Sequence, residues 1–156
     1  MMVFHCPECG GHYRDEDGCR QKFEAMLALE FSDPAFGRVH FLTVTAYMFL
    51  TVTAYMLQHP TRLSRRGWLA LRDLLSRHLR DGHGVEDIKV GIRRAGVSAA
   101  KGWKIKADGT TFHEAIGLDW PLTAADVDPS DSVRYGAGVQ AWAEAALARS
   151  EALPVS

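Results

Sequence analysis

Residues Phe41–Leu57 read FLTVTAYMFLTVTAYML: an octapeptide, Phe41–Met48, is followed at once by an identical copy, Phe49–Met56. Seventeen residues pass without a charge, bracketed by His40 and His59, with Pro60 behind. No other segment is as apolar, so the fold must bury this one and pack the rest of the chain around it. As a strand, both copies place Leu42, Val44, Ala46 and Met48 and their counterparts on one face, because eight is even. As a helix, the second copy is rotated by roughly 80° from the first, which spreads the large side chains around the cylinder. Thr and Val favour the strand. Length decides against it, since seventeen residues is about three times a usual strand and no Gly or Asn makes a hairpin between the copies. Asp33-Pro34 is a good helix start and His59-Pro60 a good stop, so the pattern predicts a helix.

A membrane span is the rival for such a run. Seventeen residues is short for one, and four threonines and two tyrosines lower the hydropathy. With one copy the apolar run would be nine residues, so no membrane association is expected. A single-copy helix would place its closing His eleven residues after His40, on the same face; the second copy adds about 12 Å and turns one end against the other.

The amino terminus, MMVFHCPECGG, has a cysteine pair where a secretory leader would need an apolar stretch. Three cysteines, an odd number, do not suit a disulfide framework, and the cytoplasm is the expected location. Cys6-Pro7-Glu8-Cys9-Gly10 is instead a zinc-knuckle turn, in which backbone amides face the thiolates and glycine allows a tight return. Nine residues separate Cys9 from Cys19, within reach if the chain loops back. Three thiolates and an imidazole would complete a closed tetrahedral site for Zn. A redox pair or unliganded thiols are the alternatives, but redox CxxC motifs normally open a helix after a strand.

Three histidines compete as fourth ligand. His12 is nearest in sequence and His40 precedes the repeat. His59 is favoured because a helix capped by Asp17 and running through Cys19, Phe23, Met26, Leu27 and Glu30 would pair with the repeat helix as an antiparallel hairpin. That pairing returns the end of the repeat helix to the level of Cys19. The expected metal set is therefore Cys6, Cys9, Cys19 and His59.

Leu63–Arg80 reads as an amphipathic helix, with Trp68, Leu71, Leu74, Leu75, His78 and Leu79 inward and Arg65, Arg66, Arg72, Arg77 and Arg80 outward. Asp81-Gly82-His83-Gly84 ends it. A short helix is expected within Val85–Ala95, and a turn or small hairpin around Trp103-Lys104-Ile105-Lys106 and Asp108-Gly109. Pro121–Pro129 is a connector with a helical turn capped by Thr123. Ser130–Arg149 is a final helix with Val133, Val139, Trp142 and Leu147 inward, and Leu153–Ser156 should fray. The whole suits one domain, residues 1–156, mainly α: a helical hairpin plus further helices behind a zinc knuckle, with apolar content of 47% and charged content of 24% typical of globular chains.

Net charge is −1 but unevenly spread. Residues 1–61 carry 4 basic and 7 acidic side chains, residues 62–106 carry 12 and 4, and residues 107–156 carry 2 and 8. The basic segment implies either an anionic partner or internal neutralisation by the acidic segments, and the second is the simpler reading.

With these motifs in view, the chain resembles an uncharacterised family of small bacterial proteins, a domain of unknown function. The resemblance rests on CPECG at 6–10, Gly18-Cys19, LALEFSDPAFGRVH at 27–40 and LTVTAYMLQHP at 50–60. Arg65-Arg66, His78-Leu79, LTAADV at 122–127 and Ala141-Trp142-Ala143 extend it over most of the chain. Two departures stand out: the family has one copy of the octapeptide, and it usually carries Asp where this chain has Thr45 and Thr53. The resemblance implies an architecture and no activity.

Three functions fit the residues. The first is a metal-stabilised helical module that binds another protein, self-associates or regulates. The second is a metal-dependent hydrolase in which His40, His59 and His78 converge on an open metal. Interior histidines need no metal to be satisfied, and no nucleophile elbow, phosphate loop, HExxH or paired-carboxylate motif is present, so the reading leans away from an enzyme. The third is nucleic-acid binding through Arg65, Arg66, Arg93, Arg94, Lys101, Trp103, Lys104 and Lys106, with Trp103 stacking on a base.

Overall fold

The computed structural model describes residues 3–33, 41–82 and 112–153, with the backbone alone for 31–32 and 41–49. A two-residue hairpin, β1 (Phe4–His5) and β2 (His12–Tyr13), leads into α1 (Gly18–Ser32). There follow α2 (Phe41–Gln58), a 3-10 turn over Pro60–Arg62, and α3 (Arg65–Leu79). Short 3-10 turns at His113–Ala115 and Ala124–Asp126 precede α4 (Ser132–Glu151). The protein is mainly α, as expected, and the repeat is helical in both copies. No helix among the described residues is long and apolar enough to cross a membrane.

The second copy of the octapeptide is the centre of the core. Every residue from Leu50 to Pro60 is buried, so this stretch is enclosed on all sides, as a helix without a polar face must be. Helix α2 as a whole packs most extensively on α4 and also touches α1 and α3. The large side chains closing around it are Phe23 and Met26 from α1, Trp68, Leu71 and Leu75 from α3, and Tyr135, Val139, Trp142 and Leu147 from α4.

Two indoles tie off the end of α2. Trp68 Nε1 donates to the Leu57 carbonyl (2.9 Å), one of the orphaned carbonyls of the last turn. Trp142 Nε1 donates to Gln58 Oε1 (3.0 Å), while Gln58 Nε2 donates to the Leu122 carbonyl (2.6 Å). An indole can only donate and a carbonyl only accept, so the amide orientation is fixed.

The caps follow the residue chemistry. Ser64 Oγ accepts from Gly67 N (3.0 Å) at the start of α3, and Asp131 Oδ1 accepts from Val133 N and Arg134 N (2.8 and 3.0 Å) at the start of α4. Thr123 caps its turn as expected, completed by Asp126 into a capping box. Asp17 stands at the N-cap of α1 but makes no side-chain cap bond. Its carboxylate lies 3.6 Å from Arg20 instead.

Two placements differ from expectation. Val133 is 77% exposed, because Asp131 starts α4 so that the first turn projects beyond the core and only Tyr135 onward meets it. His78 and Leu79 are half-buried, at the edge where the apolar face of α3 runs out. Asp33 closes α1, its N–H bonded to the Leu29 carbonyl. The start expected at Asp33-Pro34 runs into residues outside those described. The helix within 85–95, the 103–109 turn and residues 154–156 also lie outside them.

Candidate metal centre

The hairpin shapes the first two ligands. Phe4 pairs with Tyr13 and His5 with His12, leaving Cys6–Gly11 as the loop. Cys6 N donates to the Gly11 carbonyl (2.9 Å) and Gly10 N to the Cys6 carbonyl (2.8 Å). Gly10 holds φ +77°, a left-handed conformation that glycine adopts without steric cost. The return brings Gly11 N to within 3.4 Å of Cys9 Sγ, a backbone donor aimed at the sulfur.

The other two ligands come from helix ends. Cys19 sits in the first turn of α1, and His59 follows the last residue of α2. The antiparallel pairing of these helices brings Cys19 Sγ to 3.1 Å from His59 Nε2, with Cys6 Sγ at 3.4 Å from the same nitrogen and Cys9 Sγ at 3.8 Å from Cys19 Sγ. All four ligand atoms lie within 4.8 Å of one another. Cys9, Cys19 and His59 are buried, and Cys6 stands at the solvent edge. The three cysteines are free thiols.

His59 is oriented by its own helix. Nδ1 lies 2.6 Å from the Tyr55 carbonyl, which can only accept, so Nδ1 carries the proton and Nε2 faces the sulfurs. Tyr55 supports the ring, stacked between Phe23 (3.8 Å) and His59 (3.9 Å). Burial lowers the His59 pKa, but hydrogen bonds with Cys19 and Cys6 outweigh it and raise the value to about 9. Hydrogen bonding from Cys19 and Cys9 lowers the Cys6 pKa. The Cys9 pKa is raised by hydrogen bonding to Cys19 and Cys6 and by burial. Sulfurs this close cannot all ionise unless a cation sits among them.

The loop is clamped from outside. Glu8 Oε1 accepts from Thr61 N (3.1 Å), and the Glu8 carbonyl accepts from Gly117 N (3.1 Å). A Cβ on Gly11 would come within 2.9 Å of Thr123 Oγ1, so the hairpin rests directly on the turn before α4. These supports were not singled out by the motif reading. Tyr55 had a signal, lying four residues before His59 on the same face of one helix; the contacts of Glu8 and Thr61 are long-range and had none.

The other candidates lie elsewhere. His12 is exposed and tilts against His5 at 4.0 Å, and His78 on α3 belongs to no group of metal-ligating side chains among the described residues. Arg66 is exposed, while Arg65 lies 3.7 Å from Glu114 and over the Phe112 ring at 4.5 Å. Arg80 pairs with Glu151 and Arg72 donates to the Ser150 carbonyl (3.4 Å). Part of the basic segment is thus neutralised internally, by residues of the acidic one. His40, Arg93, Arg94, Lys101, Trp103, Lys104 and Lys106 lie outside the described residues.

Fold and site together define a small helical protein with a Cys3His cluster that can hold a metal ion. The chain belongs to DUF5946, a family of unknown function, whose model matches residues 4–49 and 48–151. The two matched stretches meet at Met48-Phe49, the junction of the two octapeptides. No curated protein and no solved structure matches the chain.

Proposed function

We propose that Cys6, Cys9, Cys19 and His59 hold one structural Zn²⁺, and that the protein is a zinc-stabilised helical module that acts by binding a protein partner or a second copy of itself. The observation that carries the zinc reading is the spacing of the four ligand atoms. Tetrahedral zinc, with Zn–S of about 2.3 Å and Zn–N of about 2.0 Å, separates sulfurs by roughly 3.8 Å and sulfur from nitrogen by roughly 3.5 Å. The separations of 3.8 Å for Cys9–Cys19 and 3.4 Å for Cys6–His59 match that polyhedron, 3.1 Å for Cys19–His59 is shorter than it, and all four atoms lie within 4.8 Å of one another. Four protein ligands fill it, so the ion has no open position for a substrate or an activated water. Its role is to join the amino-terminal hairpin, the start of α1 and the end of α2, and its binding energy is folding energy. The hydrolase reading draws less support, because His59 Nε2 faces two cysteines rather than other imidazoles.

The test is metal content per chain on protein purified without chelator. One tightly held zinc, lost in Cys19→Ser together with a marked drop in melting temperature, is expected. Wild-type stability and metal content in Cys19→Ser would overturn the assignment. Self-association is read on the same zinc-loaded sample by sedimentation; a strict monomer leaves a second protein as the partner to seek.

A further inference from the structure

The core slot around α2 is built for one octapeptide, and the chain carries two. Of Phe49–Met56, residues Leu50–Met56 lie in the described core, with Ala54 wholly inaccessible and Leu50, Val52, Tyr55 and Met56 at 2% exposure. Phe41–Met48 has the same eight side chains in the same order. A shift of the helix by eight residues, about 12 Å along its axis, therefore puts an identical set of groups into the slot. The displaced copy also has the same eight side chains in either arrangement. The two stretches matched by the family point the same way: copy one is continuous with the upstream chain and copy two with the downstream chain.

Downstream of the slot, what tells the registers apart is the three residues after each copy. After Met56 come Leu57, Gln58 and His59; after Met48 come Phe49, Leu50 and Thr51. In the shifted register Leu50 replaces Gln58, and Trp142 Nε1 and the Leu122 carbonyl lose their partners. Thr51 replaces His59, so the metal cluster keeps three sulfurs and loses its nitrogen. Residues 52–59 then form a longer connection to Pro60, and the entropy of closing a loop grows only slowly with its length.

We infer that the duplicated octapeptide gives this protein two helix registers, and that metal binding at Cys6, Cys9, Cys19 and His59 selects the one in which the second copy fills the core. This rests on the zinc reading above. His59 is a ligand in only one register, so the ion binds the two states differently, and differential binding is what shifts an equilibrium. Zinc at about 1000 times its dissociation constant would shift the register ratio about 1000-fold if the shifted state had no affinity for it, and less if three thiolates retain some. The protein would then report metal supply as a helix displacement at the end of α2.

Three full-chain variants test it, since an arginine at the inaccessible Ala54 position blocks the slot for whichever copy carries it. Ala46→Arg should fold with zinc bound, because the second copy, which fills the slot, is left unblocked. Ala54→Arg should still unfold cooperatively, with helical circular dichroism, but hold less than about a tenth of the zinc under a competing chelator, a tenfold loss or more. Ala46→Arg/Ala54→Arg, blocked in both registers, should be unfolded. Ala54→Arg as unfolded as the double variant, Ala54→Arg folded with zinc held as in the parent, or Ala46→Arg unfolded would each overturn the inference. If the parent protein holds no zinc, the zinc reading fails separately, and the contrast in folding between Ala54→Arg and the double variant still decides whether the registers exchange.

Discussion

Gln58 is the side chain through which the buried end of α2 is tied to both α4 and the segment before it, and replacing it with methionine isolates those ties. Methionine keeps the length and supplies neither donor nor acceptor. Trp142 has no accessible surface, so its indole N–H loses its acceptor where water cannot replace it, at a cost of about 1–3 kcal/mol. Leu122 is half-buried and its carbonyl can turn to solvent, so that loss is nearer the net value of one bond, about 0.5–1.5 kcal/mol. Added apolar burial returns up to about 1 kcal/mol. Gln58→Met should therefore lower unfolding free energy by about 2–3 kcal/mol, measured by urea denaturation of zinc-loaded protein with the m-value unchanged. Trp142→Phe orphans the amide oxygen instead. The double variant removes both partners of that bond and should be less destabilised than the sum of the singles by about 1 kcal/mol or more. Bound zinc should persist in Gln58→Met, because His59 is held separately through Tyr55. A change within about 0.5 kcal/mol of the parent, or strict additivity in the cycle, would refute the claim that this amide couples the elements.

Gly18→Ala sets helix propensity against packing. Alanine is favoured over glycine in a helix by about 1 kcal/mol, yet a Cβ here would lie 2.3 Å from Tyr13 Cβ, which is fixed to the backbone. A net loss of melting temperature is expected, and a gain would show that the hairpin yields freely. Glu30, 2% exposed, has its pKa raised by burial, against a hydrogen bond from Tyr135 that lowers it. A native carboxyl pKa above the ordinary 4.5 makes the folded state bind more protons, so stability falls as pH rises from that value through the native pKa. Glu30→Gln should flatten this dependence, and its stability relative to the parent should rise from pH 4.5 to 7 in chelator-free thermal melts; a parallel pair of curves would refute it. If the cluster holds zinc as proposed, the ion would displace protons from the cysteines and from His59, whose pKa is raised to about 9 in the metal-free protein. Apparent affinity, read against a chromophoric chelator, should fall by about tenfold or more per pH unit on acidification below neutrality. A flat profile would mean that the cluster is not the binding site.

Much of this protein was legible along the chain, because the relevant interactions are local. Residues Cys6–Gly10 form a tight turn from their own composition, α3 follows from the spacing of Trp68, Leu71, Leu74 and Leu75, and Thr123 caps its own turn. Val133 misled for the same reason: it fits the periodicity of α4, but only tertiary packing decides where a helix first meets the core. The choice of helix over strand for the repeat needed length and flanking prolines, since eight residues satisfy both periods. The sequence could narrow the fourth ligand to three histidines and favour His59 by assuming an antiparallel hairpin. That assumption is a statement about how two helices pack, and burial of an all-apolar α2 among α1, α3 and α4 is what brings His59 beside Cys19. Composition and motif determined that this chain would be helical and carry a thiol cluster. Tertiary structure alone decided which imidazole joins it, because 40 residues of chain separate Cys19 from His59 and only packing closes a distance of that kind.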